Sequence, residues 1–339
     1  MSVVDNAANW IDSTDSRYFG VAAVAVALLL PVLGLGAYYQ QVFIRVFLFI
    51  ALVSSWNLIG YTGYINFGQA AFYGMGAYVV GFGISYVGLP WPVATLLGGV
   101  LAAVLGFLLG AVTLRLRGHY FSIASLMLLF IVTTVITNIS DIIPGAQMEI
   151  WLSTASLSGE VFNMVFYYAF LVLAVFMILF SIWLESTKYG YGLKAIRENE
   201  DIATSLGVPN SKLKTGALTA SAFFAGIIGA VNAQFIQYID ATVFFGVTLT
   251  FLIVFMGFVG SMGEWYGPLV GVILFIPADE VLTYMVAPEL GRVLFGLLFV
   301  VIILAIPKGL GRFIRDRLRD ATDTGEPGAG SGGTVEASD

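Results

Sequence analysis

Apolar runs about as long as a bilayer is thick recur along the chain, separated by short polar breaks. "FGVAAVAVALLLPVLGLGAYY" (19–39) and "MVFYYAFLVLAVFMILFSIWL" (164–184) carry no charge, and "VLFGLLFVVIILAIP" (293–307) is a shorter run of the same kind. About 20 such residues cross about 30 Å of hydrocarbon as a helix. Strict apolar/polar alternation, the mark of a transmembrane barrel, is missing. The pattern predicts an all-α polytopic membrane protein of about ten transmembrane helices: 19–39, 42–60, 67–88, 91–114, 120–138, 162–184, 214–238, 243–262, 267–287 and 291–307.

Residues 185–213 break the pattern. This stretch is too long for a hairpin turn and too polar to enter lipid. Lys194–Glu198 and Arg197–Asp201 have the i,i+4 spacing of helical ion pairs. Ile196, Ala203 and Leu206 fall on one stripe beside Ala195 and Ile202, which predicts a surface amphipathic helix over 194–206. Gly207 supplies a left-handed helix end, Pro209 blocks resumption, and Ser211 is placed to cap the next transmembrane helix. Such a helix lies in lipid headgroups or docks in a partner's groove. A lipid-seeking helix is rich in Lys and Arg, whereas Glu198, Glu200 and Asp201 here offset Lys194 and Arg197, which favours a protein partner.

Charge distribution orients the spans. Hydrophobic residues make up 59% of the chain and charged ones 11%, with a mean hydropathy of +0.92. Arg115 and Arg117, the lysines and arginine of 188–214, and the bases of 308–319 all fall on one side if the span count holds. By the positive-inside rule that side is cytoplasmic, and both termini lie there. Arg45 and Arg292 run against this, and either can snorkel from a helix end. The opposite loop, 139–160, has Asp141, Glu149 and Glu160 but no base. No basic n-region precedes residue 19, so 19–39 reads as a retained helix after a cytoplasmic segment 1–18. The tail 308–339, acidic and base-free from about 321, reads as a disordered solvated segment; the low pI near 4.8 also suits a high-salt habitat.

Chemistry is narrowed by what is scarce. With no cysteine and only His119, thiolate chemistry and a multi-histidine metal site are excluded, and no cofactor is expected. No GxxxxGK[ST] loop occurs, so any ATP is bound by another subunit. Nucleic acid is not an expected partner. An ion-coupled carrier would place ionisable groups inside the membrane; only Arg45, Asp279 and Glu280 qualify, and all are expected near span ends. A membrane enzyme would need a cluster of His, Asp or Glu, which the pattern does not offer.

Two small-xxx-small ladders, Ala102/Gly106/Gly110 and Ala222/Gly226/Ala230, predict close helix packing. "GYTGYINFGQ" (60–69) interrupts an apolar stretch and has two readings. It is a tight cytoplasmic turn capped by Asn66, or a broken helix whose Asn66, Gln69 and helix N-terminus face a substrate. Asn232 and Gln234 likewise read as interhelical hydrogen bonds or as path lining.

"AIRENEDIATSLGVPNSKLKTGALTASAFFAGIIGAVNA" (195–233) resembles the cytoplasmic loop and following helix of the branched-chain amino-acid ABC permeases of the LivM type. "WNLIGYTGYINFGQAAFYGMGAY" (56–78), "LRLRGHYFSIASLML" (114–128), "GSMGEWYGPLVGVIL" (260–274) and "IPKGLGRFI" (306–314) agree in family order, over roughly residues 40–314. The resemblance implies the following. Residues 19–307 form a permease domain without catalytic residues, working by alternating access. The loop 185–213 is the coupling segment that contacts ABC ATPase subunits, with Ile196, Arg197, Glu198, Asn199, Asp201, Ala203 and Gly207 as the coupling residues. A second homologous permease subunit, an extracytoplasmic solute-binding protein and the lipid bilayer complete the surroundings. The solute is a branched-chain amino acid, with urea or a short amide as the runner-up. Asp201-Ile202-Ala203 stand where the importer signature has E-A-A, and Gly207 holds its glycine. Departures are Ile202 for the first alanine, Tyr64 where the family has glutamine, His119 where it often has an acid, and Ser261 for a glycine.

Overall fold

A computed structural model describes residues 36–113, 118–138, 149–152 and 159–285, with Ala27, Leu28 and Pro31. In order run α1 (Ala37–Gly60), α2 (Gln69–Ser85), α3 (Trp91–Thr113), α4 (His119–Thr137), β1 (Ile150–Trp151), α5 (Gly159–Glu185) and α6 (Lys188–Glu198). Then come α7 (Glu200–Ser205), α8 (Asn210–Ile236), β2 (Tyr238–Ile239), α9 (Ala241–Phe244), α10 (Val247–Gly260) and α11 (Gly267–Met285). Among the described residues, six segments are long and apolar enough to cross a membrane: Tyr38–Gly60, Trp91–Val112, His119–Thr137, Val161–Glu185, Asn210–Ile236 and Ala241–Gly260. The predicted spans at 67–88 and 267–287 fall on α2 and α11. Those at 19–39 and 291–307 lie largely or wholly outside the described residues, as do the tail, Arg115, Arg117 and Arg292.

α2 is the centre of the bundle. Twelve of its seventeen residues are buried, from Gln69 to Gly83, as expected of a helix apolar on every side. α3 and α8 flank it, and the two small-residue ladders face each other across them. A Cβ added to Gly226 would lie 2.5 Å from Ala102 Cβ, and one added to Gly106 would lie 2.5 Å from Ala222 Cβ. Backbones meet this closely only where side chains are missing, and dispersion between the helices is the gain. The outer faces of α3, α4 and α5 expose apolar side chains such as Leu97, Phe107, Ile131 and Leu179, which suits lipid as solvent.

Within 139–160, expected to be a plain loop, Ile150 and Trp151 pair antiparallel with Ile239 and Tyr238. Leu152 N–H donates to Gln237 O at 2.9 Å, extending the tie to the end of α8.

Candidate functional site

The polar island folds as two helices, correcting the expectation of one helix over 194–206. Thr187 Oγ1 caps α6, accepting from Gly190 N–H. Asn199 then takes an extended conformation, and its Oδ1 accepts from Asp201 and Ile202 N–H at 3.0 Å each. A side-chain amide that can satisfy the next turn's donors competes with helix continuation, so Asn199 ends α6 and starts α7. The break rotates the second half and splits the predicted stripe. Ile196 and Ala203 turn inward at 3% and 2% exposure, while Ile202 and Leu206 face outward at 58% and 79%. Lys194 pairs with Glu185 at 3.1 Å and not with Glu198.

Gly207, at φ +84°, ends α7 as expected. Val208 N–H reaches Ala203 O and Gly207 N–H reaches Thr204 O at 3.0 and 2.9 Å, the pair of bonds that closes a helix through a left-handed residue. α8 starts at Asn210, so Ser211 lies inside it and is not its cap. Asn210 Nδ2 instead donates back to Glu200 O (2.8 Å) and Thr204 Oγ1 (2.6 Å), stapling α7 to α8.

Three side chains that the sequence did not single out as a site hold this segment to the bundle. Glu200 Oε1 accepts from Lys214 Nζ at 2.7 Å, and Glu200 Oε2 accepts from Tyr64 Oη at 2.7 Å. Lys214, 2% exposed, also reaches Tyr64 Oη at 3.2 Å and lies 4.6 Å from the centre of its ring. A buried ammonium requires such a counter-charge. Burial pushes the Tyr64 phenol up from its usual range, and the bond to Glu200 adds to this while Lys214 opposes it. A lysine at the start of an apolar helix and a tyrosine in a glycine-rich linker were the available signals; their meeting was not.

Arg197 lies over both glycine-rich connections. A side chain at Gly63 would crowd Arg197 Cγ at 3.3 Å, and one at Gly263 would run into its guanidinium. Asn57 secures the second connection, donating to Glu264 O at 2.9 Å and accepting from Gly263 N–H at 2.7 Å. Arg197 therefore sits between the linkers that precede α2 and α11.

The linker 61–68 is largely buried, and the polar groups of its second half find partners within the protein. Phe67 N–H donates to Ser125 Oγ (2.9 Å), Ser122 Oγ to Ile65 O (2.9 Å) and Trp56 Nε1 to Asn66 O (2.8 Å). Asn66 Oδ1 accepts from Gly68 N–H at 2.8 Å, although α2 itself begins at Gln69. Ala70 N–H goes to Thr250 Oγ1 (3.2 Å) and Ala71 N–H to Gly68 O (3.0 Å). Protein groups thus take donors that a broken helix would turn toward a carboxylate.

The four polar candidates are all buried. Gln69 joins three helices and the linker: its Oε1 accepts from Asn66 Nδ2 (2.9 Å) and Ser221 Oγ (3.2 Å), and its Nε2 donates to Ser55 Oγ (3.0 Å). Asn232 Nδ2 donates to Tyr73 Oη at 2.5 Å and Gln234 Nε2 to Thr95 Oγ1 at 3.0 Å. In this conformation they tie helices together.

Arg45, Asp279 and Glu280 converge although far apart in sequence. Arg45 binds Asp279 at 2.7 Å and Glu280 at 3.3 Å, and Tyr38 Oη donates to Glu280 at 2.8 Å. Arg45 stands on α1 and the two acids on α11. His119 is the exposed first residue of α4.

Comparison with known proteins agrees with this architecture. The family described as branched-chain amino acid transport system / permease component matches residues 38–303. The high-affinity branched-chain amino acid transport system permease proteins LivM of Salmonella typhimurium and Escherichia coli are each 27% identical over 287 residues, 77% of this chain and 67% of theirs. A probable branched-chain amino acid transport permease protein LivM of Methanocaldococcus jannaschii is 28% identical over 231 residues, 62% of this chain and 66% of its own. No solved structure matches. With a membrane-length helical bundle and a family match that spans most of it, the chain belongs to the permease-component family of branched-chain amino acid transport systems.

Proposed function

We propose that the chain is the membrane-spanning permease subunit of an ABC importer for branched-chain amino acids, energised by separate ATPase subunits that dock on α6 and α7. The observation that carries this is the split stripe. α7 is clamped to the bundle on one side and shows Ile202 and Leu206 to water on the other. Paired exposed apolar side chains beside Glu198 and Asp201 make an anchor suited to a protein groove. Asp201, Gly207 and Asn199 shape this surface, while Ile196 and Ala203 seat it.

In this reading about ten helices within 19–307 form the permease domain, 185–213 is the cytoplasmic coupling loop, and 1–18 and 308–339 are cytoplasmic. A second homologous permease and an extracytoplasmic solute-binding protein complete the importer in the cell membrane. Asn66, Gln69, Asn232 and Gln234 act as interhelical ties. An ion-coupled carrier is disfavoured because Arg45 already engages Asp279 and Glu280.

The test is reconstitution with the cognate ATPase and binding protein, followed by uptake of labelled leucine. Burying one Leu or Ile side chain is worth about 1.5–3 kcal/mol. Ile202→Asp with Leu206→Asp should therefore weaken ATPase association by about a hundredfold or more while the permease stays inserted. Undiminished association removes the docking surface. Uptake without an active ATPase points to a carrier, and uptake of urea in place of leucine overturns the substrate.

A further inference from the structure

Building on the docking of an ATPase at α6 and α7, we propose that Glu200, held between Lys214 and Tyr64, is the positioning residue that passes the motor's movement to the central helix α2. Docked protein would grip Ile202 and Leu206, two and six residues beyond Glu200. Glu200 is the side chain of α7 that bonds to both the start of α8 and the linker, at 2.7 Å in each case. These bonds are charge-assisted and, at Lys214, shielded from water, so they resist stretching far more than surface ion pairs do.

What lies beyond Tyr64 makes it a route and not just an anchor. Four residues separate Tyr64 from Gln69, the first residue of α2. Every stage of that path is hydrogen-bonded: Ile65 to Ser122, Phe67 to Ser125, Asn66 to Trp56 and Gln69, and Gln69 to Ser55 and Ser221. A linker so fully tied transmits displacement in place of absorbing it. Lys214 carries the same movement into α8, which packs along α2 through Gly226 and Gly76. Both helices would then move together when α7 is displaced. Arg197, between Gly63 and Gly263, gives the linkers before α2 and α11 a shared contact with α6.

The experiment measures three quantities on the full importer in proteoliposomes: ATPase association, ATP hydrolysis and leucine taken up per ATP. Tyr64→Phe deletes the bond to Glu200 and keeps the ring; Glu200→Gln keeps the shape and removes the charge. Both should leave association and hydrolysis within about twofold of wild type. Uptake per ATP should fall about tenfold, the scale of one lost hydrogen bond to a charged group. Exchanging the pair, Glu200→Lys with Lys214→Glu, should recover more uptake per ATP than either single reversal retains. Unchanged uptake per ATP in both Tyr64→Phe and Glu200→Gln overturns the route. So does a parallel fall of hydrolysis and uptake, which marks a purely structural contact. Failure of the wild-type chain to bind the ATPase would instead defeat the docking proposal itself.

Discussion

The meeting of α3 and α8 sets up an experiment in which one chemical change should act with opposite signs at two places on one helix. In Gly226→Ala the new Cβ would lie 2.5 Å from Ala102 Cβ, 2.9 Å from Gly98 O and 3.1 Å from Gly99 Cα. Carbon atoms rest about 3.5–4.0 Å apart, so the helices must part by about 1–1.5 Å. None of the three neighbours can rotate away, since two are backbone atoms and the third is an alanine methyl. Overpacking costs about 1–3 kcal/mol, and a rigid site belongs near the upper end. Alanine returns about 1 kcal/mol of helix propensity over glycine, leaving a net loss of about 2 kcal/mol. Gly216→Ala has the same propensity gain, but its Cβ meets nothing within 4 Å. It should stabilise by up to about 1 kcal/mol. Thermal unfolding of the detergent-purified permease reads both. At about 2 °C per kcal/mol, Gly226→Ala should melt about 4 °C lower and Gly216→Ala up to about 2 °C higher. A melting temperature at or above wild type for Gly226→Ala would refute the packing account, as would equal losses at both sites.

Two further outcomes follow from the charged clusters. Arg45→Ala strips Asp279 and Glu280 of the guanidinium they share, so it should destabilise more than the triple change Arg45→Ala, Asp279→Asn, Glu280→Gln, which removes every charge at once; a triple variant less stable than the single one in the same melting assay would contradict this. Tyr64 has its phenol pKa raised by burial and by the bond to Glu200. A raised acid contributes stability that is complete below the unfolded value, about 10, and is lost as pH climbs through the folded value. The stability gap between wild type and Tyr64→Phe should therefore hold up to about pH 10 and narrow above it, and a gap that widens with alkali would reverse the sign of that contribution.

Much of this protein was determined by sequence alone, because lipid imposes a simple rule: a spanning segment must be apolar and must satisfy its own backbone. The described helices therefore fall where the apolar runs lie, and the polar island 185–213 stands out as the place where the chain folds in water. The ladders of Ala102/Gly106 and Ala222/Gly226 were legible as close-packing surfaces, since small residues at a four-residue spacing have little other use in a membrane helix. That they pack against each other was not, because periodicity identifies a face and never its partner. Local chemistry misled where a single residue competed with the pattern. Asn199 reads as a tolerable helix residue until its amide is seen holding two backbone donors, and this one break decides that Ile202 and Leu206, and not Ala203, face outward. The meeting of Tyr64, Glu200 and Lys214 was not legible in the sequence, where the three stand up to 150 positions apart. Folding brought them together because a lysine buried by the packing of α8 requires a counter-charge, and only the three-dimensional course of the chain shows which acid supplies it.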